Sequence, residues 1–242
     1  DNGKGILTLA GGTQTVTGQV GTGGLSLEKV SSGANSSTST FVNDVYANTV
    51  ENTGTGATTF QDNVVATNVN VNAGTSTFQD NLTATTTTIS TGTGNFNTVS
   101  GTTTSNLQFT NNGIANLNTG LTGNVTTTAD NKGTLNLVGS NNQTVTGTVG
   151  GVGASLAEVN AGVNGSTSTF ANDVYATNLD VEGTGTVNLD GNFTGTAIRY
   201  NADGTVILAD TKNINSAITT AVDNTGTLSL EGSSTVTGQV GA

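Results

Sequence analysis

Phenylalanines recur along the first part of the chain at a short and nearly constant interval. Phe41, Phe60, Phe78 and Phe96 stand 19, 18 and 18 residues apart. The clearest copies share an aliphatic residue four positions after the phenylalanine and an alanine six positions after it: Val45 and Ala47, Val64 and Ala66, Leu82 and Ala84, and Val174 and Ala176. A fixed short period is typical of stacked units that bury a core only against their neighbours. The pattern therefore predicts a solenoid.

Each repeat reads as short strands joined by a sharp corner. Apolar residues two positions apart indicate strands with one face directed inward. The alternation stops after the phenylalanine, at pairs of Asn and Asp: Asn43 with Asp44, Asp62 with Asn63, Asp80 with Asn81, and Asn172 with Asp173. Because Asn and Asp tolerate bent backbone and hydrogen-bond locally, these pairs predict a corner. Glycine-rich links such as Thr53–Gly56 and Glu182–Gly185 close the turn.

We therefore expect an all-β fold, a single-stranded parallel β-helix (β-solenoid) with about 18–19 residues and two or three strands per coil. We expect it to be right-handed, since the six-residue apolar rhythm of left-handed helices is not evident. Segments 23–35 and 153–164 fit a helical turn or a bent strand, and we favour the strand because so short a helix is marginal. The side chains expected inside are Phe41, Phe60, Phe78, Phe170, Val45, Val64, Val174, Ala47, Ala66 and Ala176.

A longer repeat overlies the coils. Residues 37–47 return almost unchanged as residues 166–176, and similar strand-forming phrases begin at Asp1, Asp130 and Asp223. We expect one continuous β-solenoid over 1–242, with internal modules 1–129, 130–222 and 223–242, the last being the start of a third. The first two modules differ by 36 residues, or two coils of 18, and whole inserted coils would leave the stack in register.

Composition supports an ordered β protein and excludes several kinds of site. Charged residues make up only 9% of the chain and β-branched residues abound, which favours strands over disorder. The sequence contains no Pro, Cys, Met, His or Trp, so disulfides and thiolate metal sites are excluded.

The net charge of −11 bears on possible partners. It opposes nucleic-acid binding through phosphate neutralisation and attraction to anionic lipid. No apolar run approaches the roughly 20 residues of a transmembrane helix, so we expect no membrane insertion by this segment. Since the chain has neither an initiator Met nor a signal peptide, we expect it to be an internal fragment of a longer protein.

Several phrases carry a resemblance to a known family. They are Gly-Thr-Leu-x-Leu, Val-Thr-Gly-Gln-Val-Gly, Leu-Ala-Glu-Val-Asn-Ala-Gly and Phe-x-x-Asp-Val-Tyr-Ala-Thr. In these phrases the chain, over essentially its whole length, resembles the passenger repeats of rickettsial outer-membrane autotransporters, the surface cell antigen family. The resemblance implies a secreted passenger displayed outside the bacterial cell, serving as an adhesin or a surface-layer component. The membrane-embedded β-barrel of such proteins is missing here, which fits a fragment.

A polysaccharide lyase or hydrolase is the catalytic alternative for a β-solenoid. It would need clustered carboxylates beside Arg, Lys or His in a groove. Asp44, Asp62 and Asp80 are the candidates, because they could line up at one corner across three coils. We interpret them as a structural ladder, since the chain has no His and Arg199 is its only arginine. We therefore expect no enzyme, no catalytic, cofactor-binding or metal-binding residue, and no cofactor.

Two binding alternatives remain. Stacked acidic turns can bind calcium, but the nonapeptide of calcium-binding β-rolls is absent, and Asp1, Asp130 and Asp223 are too far apart to share an ion. Ice binding would need Thr-x-Thr at one fixed place in every coil. We expect the Thr-x-Thr pairs not to share a column; they are Thr13 and Thr15, Thr38 and Thr40, Thr86 and Thr88, and Thr225 and Thr227.

These observations lead to an expected function: an extracellular structural and adhesive rod at the bacterial surface, without catalysis. A solenoid offers a long lateral surface rather than one pocket. The expected partner is a host-cell surface protein, or further copies of the chain in a layer or fibre. Tyr46 and Tyr175 alternate outward from Val and Ala, and they either contact a partner or cover a neighbouring coil.

Overall fold

The structure, a computed structural model, describes residues 2–96 and 101–241. Over these residues it contains strands and turns but no helix, and it forms a β-solenoid of about 11 turns with parallel strands in two sheets. The predicted fold class is confirmed. The chain divides into two compact units, one ending at Asn116 and the other beginning at Leu117.

Strands β1 to β12 belong to the first part of the chain. They are β1 Ile6–Thr8, β2 Thr13–Val16, β3 Leu27–Ser32, β4 Thr38–Phe41, β5 Val45–Asn52, β6 Ala57–Phe60, β7 Val64–Val71, β8 Thr75–Phe78, β9 Leu82–Ile89, β10 Thr93–Phe96, β11 Thr103–Phe109 and β12 Ile114–Leu117. The order β1-β3-β5-β7-β9-β11 forms one sheet and β2-β4-β6-β8-β10-β12 forms the other. Alternate strands are therefore neighbours, as the winding of a coil requires.

Strands β13 to β25 follow. They are β13 Leu121–Thr122, β14 Val125–Thr127, β15 Thr134–Leu137, β16 Gln143–Val145, β17 Leu156–Ala161, β18 Thr167–Phe170, β19 Val174–Val181, β20 Thr186–Leu189, β21 Phe193–Tyr200, β22 Thr205–Leu208, β23 Asn213–Thr220, β24 Thr227–Leu230 and β25 Thr235–Thr237. In the second unit the orders are β13-β16-β18-β20-β22-β24 and β15-β17-β19-β21-β23-β25.

A regular coil contains a short strand and a long bent one. The short strands β4, β6, β8 and β10 each have four residues, and β5, β7 and β9 have eight. In β5, Val45 and Ala47 are buried, and the next buried residues are Val50 and Asn52, so the alternation shifts by one in mid-strand. This shift bends the strand, which gives the coil a third side without a third strand.

The interior of the first unit is a column of aromatic rings. Phe41, Phe60, Phe78 and Phe96 are all at most 2% exposed, and successive ring centroids lie 5.0, 5.1 and 5.4 Å apart. This spacing is close to the strand separation of about 4.8 Å, as expected when equivalent residues stack in parallel. Each stacked pair contributes about 0.5–1.5 kcal/mol beyond the burial of its area. The predicted phenylalanine column is confirmed.

The second unit fills the same places with different side chains. Phe170 pairs with Leu189, which pairs with Leu208, while Val174 pairs with Phe193. The aromatic ring therefore moves to the neighbouring column, and an aliphatic residue replaces it. All five side chains are at most 1% exposed, so the exchange keeps the interior filled.

One predicted interior position is wrong. Ala47 and Ala176 are 3% and 0% exposed, but Ala66 is only half-buried. Ala66 lines a surface cleft together with Tyr46 and Val65, and the strand bends immediately after it. Its column partners Ala47 and Ala84 are buried, so the difference is local to this coil, where the cleft reaches Ala66.

Two other local predictions are confirmed. Residues 27–32 and 156–161 form the strands β3 and β17, so the strand favoured over a helical turn in segments 23–35 and 153–164 is present in both. The glycine-rich links bring neighbouring coils into close contact. A Cβ atom on Gly56 would lie 2.2 Å from the carbonyl oxygen of Ala34, and one on Gly185 would lie 2.2 Å from that of Val163. Any larger residue there would push the coils apart.

We expect the phenylalanine column to be sensitive to volume rather than to aromaticity. Phe60→Ala should lower the free energy of unfolding by about 3–5 kcal/mol, because it leaves a cavity between two rings. Phe60→Leu should lower it by less than about 1.5 kcal/mol, since Leu189 fills the matching place in the second unit. Urea unfolding followed by circular dichroism measures both. Equal losses for the two variants would contradict this account.

Candidate functional site

The corner carboxylates occupy two columns rather than one. Val45 pairs with Val64 and Val64 with Leu82, so the preceding residues Asp44, Asn63 and Asn81 share a column. The column beside it contains Asn43, Asp62 and Asp80. The expectation that Asp44, Asp62 and Asp80 could line up is therefore wrong, because the order of Asn and Asp is reversed at the first of the three corners.

The corner side chains hydrogen-bond to one another from coil to coil. Asn63 Nδ2 donates to Asp44 Oδ1 at 2.8 Å and to Asp62 Oδ1 at 2.8 Å. Asn81 Nδ2 donates in turn to Asn63 Oδ1 at 2.7 Å and to Asp80 Oδ1 at 3.0 Å. Asp44 thus accepts a hydrogen bond from the next coil, while Asp62 and Asp80 accept from the Asn beside them in the same corner. The row that runs from coil to coil consists of Asp44, Asn63 and Asn81.

The second unit repeats the ladder with Asp173, Asn192 and Asn213. Asn192 donates through both its backbone N and its Nδ2 to Asp173 Oδ1, at 2.8 and 3.0 Å. The backbone N of Asn213 donates to Asn192 Oδ1 at 3.0 Å. A motif built twice from different strands indicates that corner geometry, rather than one local sequence, selects the Asn residues.

A charged cluster lies on the outer faces of β17, β19 and β21. Arg199 Nε donates to Asp180 Oδ1 at 2.5 Å, Arg199 Nη2 contacts Asp180 Oδ2, and Glu158 Oε1 lies 3.5 Å from Arg199 Nη2. Asp180 is only 3% exposed although it faces outward, so the arginine covers it. Burial raises the pKa of Glu158, and the neighbouring Asp180 raises it further. This is a packed ion cluster, and its arginine is fully engaged.

The first unit has a smaller ion pair at the matching place. Lys29 Nζ lies 2.5 Å from Glu51 Oε1, which also accepts from Ser31 Oγ at 2.8 Å. Sequence reasoning missed both clusters. The 19-residue offset between Asp180 and Arg199 equals one coil, and this offset could have revealed the cluster around Arg199.

Each unit also carries a short hairpin that protrudes from a coil. In the first, the backbone N and O atoms of Thr22 and Leu25 bond reciprocally at 3.1 Å. In the second, Gly151 and Ala154 do the same at 3.0 Å. The hairpins carry exposed apolar side chains: Leu25 is 60% exposed and Val152 is 89% exposed.

A cleft lies beside each hairpin, with a volume of about 180 Å³ in the first unit and about 280 Å³ in the second. Tyr46 and Tyr175 line the two clefts and are half-buried, so these residues do face outward. Tyr46 Oη donates to Asp44 Oδ2 at 3.2 Å, and the negative charge of Asp44 raises the pKa of Tyr46. Among the described residues that line the second cleft, the ionisable ones are Asp130 and Tyr175.

Asp130 fastens its coil to the next one. Its Oδ1 accepts from the backbone N of Ser155 at 3.0 Å and from Ser155 Oγ, and these hydrogen bonds lower the pKa of Asp130. In the first unit Asn2 Oδ1 accepts from the backbone N of Ser26 at 2.8 Å. The match is therefore between Asp130 and Asn2, one residue off the sequence alignment, and Asp1 lies outside the described residues.

The expectation that the Thr-x-Thr pairs share no column is wrong for two of the four pairs. Thr13 pairs with Thr38 and Thr15 with Thr40, so these two Thr-x-Thr pairs share columns. Thr86 and Thr88 lie in the other sheet of the first unit, on β9. The coil that separates β2 from β4 is longer than 18–19 residues because it contains the hairpin, so a fixed period could not align the pairs.

Searches for related proteins found no match. No family model, no curated protein and no solved structure is similar to this chain at a significant level. Within residues 2–96 and 101–241, no group of three or more acidic, His or Cys residues is placed to hold a metal ion. Nor does this part of the chain contain a helix with the length and hydrophobicity needed to cross a membrane.

The corner ladder should respond to an added charge. Asn63→Asp removes the donor to Asp44 and places a third carboxylate among Asp44 and Asp62, which should lower the free energy of unfolding at neutral pH by about 1–3 kcal/mol. Repulsion raises the pKa of such a carboxyl in the folded state, so stability should return as the pH falls below that pKa. Asn63→Ala, the control, should lose stability without this pH dependence. A pH-independent effect of Asn63→Asp in thermal melts would contradict the ladder.

Asp130 should contribute to acid sensitivity. Its pKa is lowered in the folded state, so its contribution is present above the ordinary aspartate pKa of about 3.9 and is lost as pH falls through the folded value. Asp130→Asn should keep an acceptor for Ser155, as Asn2 does for Ser26, and remove this contribution to the pH dependence. Melting temperatures across this range test it. An unchanged acid dependence would show that the bond to Ser155 does not matter for folding.

Proposed function

We propose that this chain is part of an extracellular, non-catalytic rod displayed at the surface of a bacterium, and that it acts by adhesion through its lateral surface. The observation that carries the proposal is the pair of protruding hairpins, which return at matching places in both units. Leu25 and Val152 on these hairpins are 60% and 89% exposed. Exposed apolar surface that is contiguous and rimmed by polar residues marks protein contact sites.

Other features support the same reading. The resemblance of the repeats to rickettsial autotransporter passengers implies display outside the cell as an adhesin or a surface-layer component. Asp44 and Asp180 make contacts between coils, and Asp62 accepts from Asn63 within its own corner, which favours a structural role over catalysis. Each small hairpin would bind weakly by itself, and several hairpins on one solenoid would bind with higher overall affinity.

The experiment measures binding of the purified, fluorescently labelled chain to host cells, beside light scattering and electron microscopy across ionic strength. We expect a monomer that binds cells. Replacing Leu25 and Val152 together by Ser should abolish binding, while Val138→Ser, at an apolar residue 44% exposed away from the hairpins, should leave it unchanged.

Two results would overturn the proposal. Ordered layers or fibres that strengthen with added salt, without cell binding, would instead identify a surface-layer scaffold, because salt screens the repulsion between acidic copies. Turnover of a polysaccharide that is abolished by Asp62→Asn or Asp80→Asn would identify an enzyme.

A further inference from the structure

The short strands of the first unit carry a regular array of threonine side chains on their outer face. The register of β2, β4, β6, β8 and β10 brings the first residue of each strand into one column: Thr13, Thr38, Ala57, Thr75 and Thr93. The third residues form the second column: Thr15, Thr40, Thr59, Thr77 and Asn95. We call these two columns the threonine array.

The array has two fixed repeat distances. Neighbouring strands are about 4.8 Å apart, and residues two apart on one strand are separated by about 6.7 Å. Side chains at both repeats therefore form a rectangular grid. The second unit does not keep this grid, because Asn188, Ile207 and Ser229 follow Thr169 in its second column.

The face is also flat. Strands in an ordinary sheet rotate by about 20–25° from one neighbour to the next. The phenylalanine rings at the ends of these strands are nearly parallel, since successive rings differ by only 11°, 9° and 5°. Parallel rings are expected when strands rotate little from coil to coil, and the outer residues of such strands from β4 to β10 lie close to one plane.

The hydroxyl groups of the array are available to solvent. Among the described residues, Thr77 accepts a long 3.4 Å contact from Asn95, and the other seven threonines make no side-chain hydrogen bond with the protein. The array residues are exposed or half-exposed, and none of the ten carries a charge. Each threonine therefore offers one hydroxyl and one methyl group at a fixed grid point, as its β-branched side chain has few rotamers.

The dimensions favour an extended lattice as the ligand rather than a protein. Five strands span roughly 20 Å, so the array covers on the order of 200 Å². A stable protein interface needs about 800 Å² from each partner. A crystalline ligand does not need so large an interface, because its molecules are already ordered and each threonine of the array adds an equivalent contact.

We propose that the threonine array binds ice. The strand-to-strand and along-strand repeats are close to the repeats of oxygen atoms in layers of hexagonal ice. The hydroxyls hydrogen-bond to lattice water, and the methyl groups pack into the spaces between water molecules. Because the grid is flat and already formed, the water layer over it is ordered before it joins the crystal.

The test uses the complete 242-residue chain. The gap between the melting and freezing points of a small ice crystal is measured with increasing protein concentration, and labelled protein is partitioned into a growing ice hemisphere. We expect a concentration-dependent gap, faceted crystals and capture in ice. Thr59→Tyr, at the centre of the array, should abolish all three.

Thr83→Tyr is the matched control, since Thr83 is exposed on β9 in the other sheet, and it should retain full ice activity. Circular dichroism melts of both variants confirm that they fold.

Unfaceted crystals and no freezing gap for the wild-type chain would overturn the proposal. So would equal losses from Thr59→Tyr and Thr83→Tyr. A wild-type dimer without ice capture, dissociated by Thr59→Tyr, would also overturn it and would show that the face binds a second copy.

Discussion

The fold depends on the parallel register that sets each residue directly above its equivalent in the previous coil. A single coil buries few apolar side chains, and each contributes only about 1.5–3 kcal/mol. Stacking repeats that small contribution along the column, so Phe60 is held between Phe41 and Phe78 rather than by a distant core. Stability is therefore a sum over interfaces between neighbouring coils, and no single residue supports the whole.

The same register determines the polar chemistry. At the corners, an Asn side chain has both a donor and an acceptor, so it can accept from one coil and donate to another. Asn63 does this between Asn81 and Asp44. A carboxylate can only accept, so Asp44 stands at an end of the row. Acidic residues at the corners thus take part in hydrogen bonding within the stack.

Much of the fold could be predicted because the regular coils have a constant length. The phenylalanine column and the corners follow from offsets of 18 and 19 residues. Asp180 and Arg199 are also 19 residues apart, so their ion pair could be predicted from the same offset. Prediction failed where coil length varies. The hairpin between Thr22 and Leu25 lengthens one coil, so the alignment of Thr13 with Thr38 was hidden from any fixed period. Ala66 was misassigned because a surface cleft reaches it, although Ala47 and Ala84 in the same column are buried.

The exchange of aromatic and aliphatic residues between columns has a consequence for folding fidelity. In the first unit four identical rings occupy one column, so a strand that docked one coil out of place would still find a phenylalanine opposite phenylalanine. In the second unit, Phe170 meets Leu189 while Val174 meets Phe193. A slip by one coil there sets Phe170 against Leu208 and Val174 against Ile214, so Val174 loses the ring that fills its column. The second unit therefore disfavours misregistered stacking. The first unit lacks this discrimination, but its identical coils present a flat face.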